Sequence, residues 1–496
     1  MDFTEAYPHS SSLVSFSPGA QFILTALYDA LIIRRSDTLQ ISRTWTVDRD
    51  TSPTNVLLVG ALQSRPASTS TIASLTDPTI THIGWSCDSE YILASCAKRG
   101  TVHVFKLRDE EWSSRIDAGA EGLVKAEWAP DGRTILCFSE WGATTPLVVR
   151  LINSTGLQIR VTAWSIVTGK AIYIQFPIHP DRGFAFRSDG RYFVLAERHK
   201  SKDTLGVYDT TDSYKLARHF PLPTSSLASL ALSPTGNHVA VWEGLLEFKI
   251  HFLALTGERL GTFSPEPDPG FGVRHVAWHP NGGYLAVGGW TDKIYILESL
   301  SWSPAIVLEV PSRIPTNVMI WREPPSWLEA TYGRGFISYE SLRGPITVPL
   351  NHIDLSRPNS KSGVAQLAWN TNGTLLFARF ECVPNAVYLY DFPSPQDRFQ
   401  PKLRSVLLHT LPVLHARWNP VRKGNLAVCC DGQSVYTWSD EWVGENGTEE
   451  EMAECIGIPI EGFKAKDLRW APDGKGFVLI DRDRFCCAFE IEEKDT

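Results

Sequence analysis

The stretch "VAWHPNGGYLAVGGWTDKIYIL" runs from Val276 to Leu297. Trp278 is followed almost at once by Pro280-Asn281-Gly282, then by an apolar run, a short polar break and a second run that alternates. Proline presets φ and glycine takes a positive φ, so Pro-Asn-Gly predicts a tight turn. The apolar run reads as a well-buried strand and the alternating run as a half-covered one. Together they predict a hairpin plus a third strand, with Trp278 closing the first.

The same pattern recurs along the chain: "VSFSPGAQFILTA" (14–26), "IGWSCDSEYILAS" (83–95), "AEWAPDGRTILCF" (126–138), "FAFRSDGRYFVLA" (184–196), "LALSPTGNHVAVW" (230–242), "LAWNTNGTLLFAR" (367–379), "ARWNPVRKGNLAV" (416–428) and "LRWAPDGKGFVLI" (468–480). The anchors are Phe16, Trp85, Trp128, Phe186, Leu232, Trp278, Trp369, Trp418 and Trp470. They lie 43 to 69 residues apart, except for a gap of 91 between Trp278 and Trp369. A blade of about 40–45 residues is the period of a propeller, and a weaker fourth strand is expected in each connection. The fold class is therefore all-β, a WD40-type β-propeller occupying 1–496 with nine to ten four-stranded blades. Trp321, 43 residues after Trp278, would begin the tenth. One large closed ring is preferred, and "DFTEAY" at the N-terminus would complete the sheet of the last copy, covering its edge. Two smaller propellers, divided within 300–362, are the alternative. Insertions are placed near 50–77, 142–158 and 440–454. The first two read as surface loops or, alternatively, as retained intron sequence.

Composition agrees with a turn-rich β protein, with 17 Trp, 36 Gly and only 3 Met among 496 residues. The net charge of −8 gives no general attraction for polyanions, so neither nucleic acid nor an anionic membrane is an expected partner. The start "MDFTEAYPHSSS" lacks a signal-peptide pattern, and no stretch reaches the roughly 18 apolar residues of a membrane span. The 9 cysteines include no C-x-x-C and are expected as reduced, mostly buried thiols.

Motifs for catalysis are missing: no G-x-S-x-G, H-E-x-x-H or phosphate-binding G-x-x-x-x-G-K-[ST] occurs. His82, His275 and His415 each precede an anchor Trp by three residues, which reads as one repeated inner-strand position rather than a metal ring. Asp131, Asp189 and Asp473 precede glycine in turns and are read as turn residues. No enzyme activity, cofactor, catalytic residue or metal ligand is predicted. Candidate partner-binding residues come from the connections between second and third strands, which share one rim of a propeller: Arg99, Trp141, Arg198, Lys202 and Trp290. Exposed Trp and Arg are frequent interface anchors. "ERHKSKD" (197–203) is read as a basic-leaning loop, and "DEWVGENGTEEEMAE" (440–454) as a solvated acidic one that could meet a basic partner.

Several copies go beyond the general repeat. "KRGTVHVF" (98–105), "GLVKAEWAPDGRTIL" (122–136), "RSDGRYFVLAERHKSKD" (187–203), "AVWEGLLEFKIHFLALTGERL" (240–260), "WTDKIYIL" (290–297) and "VPNAVYLYDF" (383–392) resemble the WRAP-type WD-repeat proteins of centrosomes and fungal spindle pole bodies. The resemblance spans the chain apart from the two longer insertions and 310–360. It implies a non-catalytic scaffold of the microtubule-organising centre, located on the cytoskeleton in the cytoplasm. It further implies a coiled-coil anchoring partner of the SSX-interacting type, with kinesin-14 and the gamma-tubulin complex as indirect associates. Net negative charge opposes direct contact with acidic tubulin tails, which favours attachment through such an intermediate. A translation-initiation or ribosome-binding propeller is the competing expectation. It calls for a basic RNA-facing patch, and the acidic end "FEIEEKDT" speaks against it.

Overall fold

Every anchor ends the first strand of a blade. In a computed structural model of the chain, Val273–Trp278, Tyr284–Gly289, Lys293–Glu298 and Pro304–Glu309 form one antiparallel sheet in sequence order, and the other copies fold likewise. The structure describes residues 1–47, 56–57, 80–118, 122–141, 158–311, 313–351, 362–392, 401–443 and 449–490. Among these, nine blades are formed. The expected insertion at 50–77 lies outside the described residues apart from Val56–Leu57, as does 142–158 apart from Gln158.

The chain divides into two compact units. Pro8–Ser225 holds blades 1 to 4; Met1–Tyr7 with Ser226–Thr496 holds blades 5 to 9. The N-terminal Asp2–Phe3 pairs with Arg484–Phe489 and takes the outer position of blade 9, as the sequence predicted.

Within each unit the apolar cores lie between successive blades. Leu136, Phe138 and Val161 of blade 3 pack with Phe193, Leu195 and Tyr208 of blade 4. Cys429 and Cys430, neighbours at the end of a strand, enter two different clusters, as alternation along a strand requires. All nine cysteines are free thiols and all but Cys87 are buried.

Two repeated contacts join neighbouring blades, and both explain the repeat sequence. The first uses the anchor indole, whose Nε1–H donates to the carbonyl of the residue just before the preceding anchor. Trp85 reaches Ser15 at 3.3 Å, Trp128 reaches Gly84 at 3.3 Å, Trp278 reaches Ala231 at 3.3 Å, Trp369 reaches Ala277 at 3.1 Å, and both Trp418 to Ala368 and Trp470 to Arg417 measure 2.9 Å. The second uses the residue after the anchor. Asn370 donates to the carbonyl of Lys423 at 2.7 Å and Asn419 to that of Gly474 at 2.8 Å, while His279 Nε2 sits 3.0 Å from the carbonyl of Gly373.

The turn glycine therefore has two constraints. Gly373 has φ +79°, and a Cβ there would collide with the His279 ring. Gly270 has φ +75° but nothing within 4 Å. Gly270→Ala should cost about 1 kcal/mol through backbone strain alone. Gly373→Ala should cost about 2–3 kcal/mol, because it also displaces His279 from its partner. Urea unfolding of both variants checks this; equal losses would show that the contact with His279 contributes nothing.

Trp321 does not begin a tenth blade. Its strand, Met319–Arg322, runs parallel to Lys402–Leu408 and extends blade 7 outward, followed by Glu340–Arg343 as a sixth strand. Phe336–Ser338 likewise extends blade 8. No Pro-x-Gly turn follows Trp321, and its indole donates to the Glu451 carboxylate at 3.0 Å rather than to a preceding inner strand. The stretch 313–347 thus decorates two blades, and the two units divide at Ser225–Ser226 rather than within 300–362.

Of the acidic stretch 440–454, residues 444–448 lie outside the described residues, and the parts on either side are strand rather than loop. Ser434–Val443 pairs with Glu449–Gly457 as the third and fourth strands of blade 8. Glu451 accepts from the indoles of Trp321 and Trp438, from Ser405 and from Arg404. One of the acidic residues is thus an internal acceptor binding the outer strands together.

Candidate functional site

The partner-binding residues expected from sequence fall between second and third strands, with varied surroundings. Arg99 ends a short 3-10 turn, is half-buried, and its guanidinium lies 3.4 Å from the Val47 carbonyl. Trp141 is the last residue of Thr134–Trp141 and pairs with Gln158. Arg198 is exposed, but its Nε is 2.8 Å from the buried Asp203 carboxylate. Lys202 is exposed at the start of the next strand. The stretch 197–203 is a tight hairpin rather than a loop. Its two-residue turn, Lys200 and Ser201, has φ of 47° and 64°, the pattern that suits strand twist.

Trp290, in the five-blade unit, is half-buried. The Arg274 guanidinium stands 5.0 Å above its ring, held there by Glu381 at 2.8 Å and by the Ser362 carbonyl at 2.7 Å. One face of the indole is thus covered by a cation.

Near it in the repeat frame lies a feature the sequence reading passed over. The second-to-third strand connection of blade 5 carries Leu245 and Leu246, 66% and 85% exposed. Phe271, 57% exposed, leads into blade 6. The amide of Gly272 donates to the Leu245 carbonyl at 2.7 Å, which ties the two connections together. Phe248, which ends the same connection, is fully buried. The backbone is therefore fixed while its apolar side chains stand in solvent, so little ordering entropy would be lost on binding. The signal was present in "EGLLEF": two adjacent leucines between strands have no alternation to place one inside.

Among the described residues the titratable groups outside blade 4 form no cluster of three possible metal ligands. Burial pushes the thiols of Cys137, Cys382 and Cys429 up to about 12, so they stay protonated and weakly nucleophilic. His82, His275 and His415 sit on inner strands of three different blades, and burial lowers the pKa of each. Among the described residues they join no group of three possible metal ligands.

Residues 257–297 match the family of the WD domain, G-beta repeat, covering the last strand of blade 5 and the first three of blade 6. A mouse protein, WD repeat-containing protein WRAP73, is 29% identical over 515 aligned positions, which cover 100% of this chain and 97% of the mouse protein. An uncharacterised WD repeat-containing protein of Schizosaccharomyces pombe is 19% identical, covering 79% of this chain and 77% of its own. Among solved structures, the Cps50 (Swd1) β-propeller domain of Myceliophteria thermophila aligns with 77% of this chain and 96% of its own, at 14% identity and a TM-score of 0.37.

Proposed function

We propose, from the premise that this chain is a WD-repeat scaffold related along its whole length to WRAP73, that it works at the microtubule-organising centre. There it holds a coiled-coil anchoring protein of the SSX-interacting type, through which microtubule minus ends are tethered. Kinesin-14 and the gamma-tubulin complex associate through that partner. Its place is the spindle pole body or centrosome, on the cytoplasmic cytoskeleton.

The observation that carries this reading is similarity to one WD-repeat protein over the full length of the chain. The rigid apolar connection of Leu245, Leu246 and Phe271, with Trp290 and its cation, supplies a surface suited to a helical partner. Arg99, Trp141, Arg198 and Lys202 are assigned to the same binding role in the four-blade unit.

Affinity purification of the tagged protein from dividing cells tests the class. A coiled-coil spindle-pole protein as chief prey supports it; ribosomal subunits would overturn it. Leu246→Asp tests the surface. The side chain is almost fully exposed, so the melting temperature should stay within about 2 °C. Affinity for the coiled-coil partner should fall about 30-fold, the scale of an interface hot spot. Trp290→Ala should weaken binding as well, with a small loss of stability from its covered face. Unchanged binding by both variants removes this surface from the proposal.

A further inference from the structure

We infer that Glu197, His199 and His219 of blade 4 form a binding site for a first-row divalent cation, with zinc the best match. The three residues lie on one blade but on two of its strands, Tyr192–His199 and Lys215–Pro221, the second and the outermost. Glu197 and His199 are two apart on an extended strand and so share a face. His219 pairs in register with Gly206 of the intervening strand, Lys202–Asp209.

Gly206 makes the convergence possible. A Cβ there would collide with Glu197 Oε1 and lie 2.7 Å from the Tyr208 ring. With no side chain at 206, Glu197 lies across the third strand and reaches the fourth. Its carboxylate is 2% exposed, and its ion-pair partners among the described residues are His199 and His219, with no lysine or arginine. Oε2 lies 3.1 Å from His199 Nε2 and 3.3 Å from His219 Nε2, while Oε1 accepts the Tyr208 hydroxyl. The imidazoles meet at 88° with centroids 5.2 Å apart, and all three ligand atoms lie within 4.8 Å of one another.

These distances are those of a coordination polyhedron. Zinc bound to nitrogen and oxygen at about 2.0–2.1 Å in a tetrahedron needs ligand-to-ligand edges of ~3.3 Å. Two of the three edges are already at that length. Two imidazoles and one carboxylate form a ligand set suited to zinc and its first-row neighbours. The carboxylate offsets one of the cation's two charges, which matters at a buried group.

The surroundings complete the site. Phe176, at the end of blade 3, presents its ring to His199 at 4.9 Å, and the Arg198 amide donates to the Phe176 carbonyl at 2.8 Å. Tyr208 holds the carboxylate from behind, an outer contact that orients a metal ligand. The histidine side chains are 40% and 35% exposed and open onto a cavity of about 370 Å³ that Tyr173, Gln175 and Tyr214 also line. A fourth coordination position thus faces solvent, where a water or a side chain of a bound partner can enter. This site lies in the four-blade unit, and metal binding there can be measured with no partner present.

The test uses the full-length chain, with any histidine tag removed, stripped by chelator and titrated with zinc against a chromophoric competitor. Wild type should bind one equivalent that His199→Gln and His219→Gln each weaken about 100-fold or more. Tyr208→Phe, which keeps all three ligands, should weaken it about 10-fold or more. Cobalt should give the intense visible bands of a tetrahedral site, absent in both histidine variants. Because both histidines are partly exposed, these variants should fold, as circular dichroism will check. Absence of a stoichiometric site in wild type, or zinc binding unchanged in both histidine variants, would overturn the inference. In either case the three residues form only a hydrogen-bonded network.

Discussion

Acidification from pH 7 to pH 5 should cost each unit of this chain about 2 kcal/mol of stability, through histidines whose pKa the fold lowers. Burial pushes His103 of blade 2 down to about 4, helped by Arg115 and Arg99. Burial likewise lowers His409, which follows Lys402–Leu408 of blade 7, to about 4, against a smaller opposing pull from Glu323. In the unfolded chain a histidine takes up its proton near pH 6.5. Between 6.5 and about 4 the unfolded state therefore binds more protons, and stability falls as pH falls through that window. At pH 5 each of these two histidines should have forfeited about 2 kcal/mol. His82, His251, His275, His279 and His415 are lowered by burial as well and steepen the same loss. The low carboxylates Asp88 and Asp189, both at about 2, give up their stabilisation only at more acid pH, so the two effects separate. Urea midpoints at pH 7, 6 and 5 measure the slope. His409→Gln should reduce proton uptake on unfolding of the five-blade unit by nearly one. A stability that stays flat from pH 7 to 5 would show that these histidines titrate freely in the folded protein.

Most of the blades were legible because one local pattern writes each of them. The anchor, the turn and the apolar run are contiguous, and the hydrogen bonds from Trp278, Trp369 and Trp418 give each anchor the same task. What failed was inference from a single residue. Trp321 has the right spacing but lacks the turn, and the strand carrying it found an open edge instead. Lys200-Ser201 turns a hairpin without the usual Asn-Gly, so charge made a strand pair look like a loop. Glu451 lies in a run of acids, and only the register of its strand reveals that two indoles need it. The cluster of Glu197, His199 and His219 was illegible for a related reason. Its members are 22 residues apart at the extremes, and Gly206, which lets them meet, resembles any other glycine in a strand. The exposed Leu245 and Leu246 could have been noticed, since a connection between strands rarely needs two leucines.

Replacing one anchor should reveal how much of the fold rests on the indole contacts. Trp369 is 9% exposed and belongs to the largest core cluster of the five-blade unit. Its ring meets His279 at 4.8 Å and Phe392 at 4.5 Å, both edge-on, and its Nε1–H donates to Ala277 of blade 6 at 3.1 Å. Trp369→Ala removes the ring, leaves a cavity between two blades and orphans that carbonyl. Truncations of this kind cost about 3–5 kcal/mol. Trp369→Phe keeps an apolar ring and loses only the N–H, so it should cost about 1–2 kcal/mol. Phe186 already occupies the equivalent position of blade 4, which shows that a blade can be closed without an indole. The gap between the two variants therefore measures packing, and the cost of the phenylalanine variant measures the hydrogen bond. The losses should appear in the unfolding of the five-blade unit, followed by urea titration with fluorescence. A loss below about 1 kcal/mol for Trp369→Ala would mean that the anchors merely cover the inner strands, and that the turn contacts through His279, Asn370 and Asn419 hold the blades together.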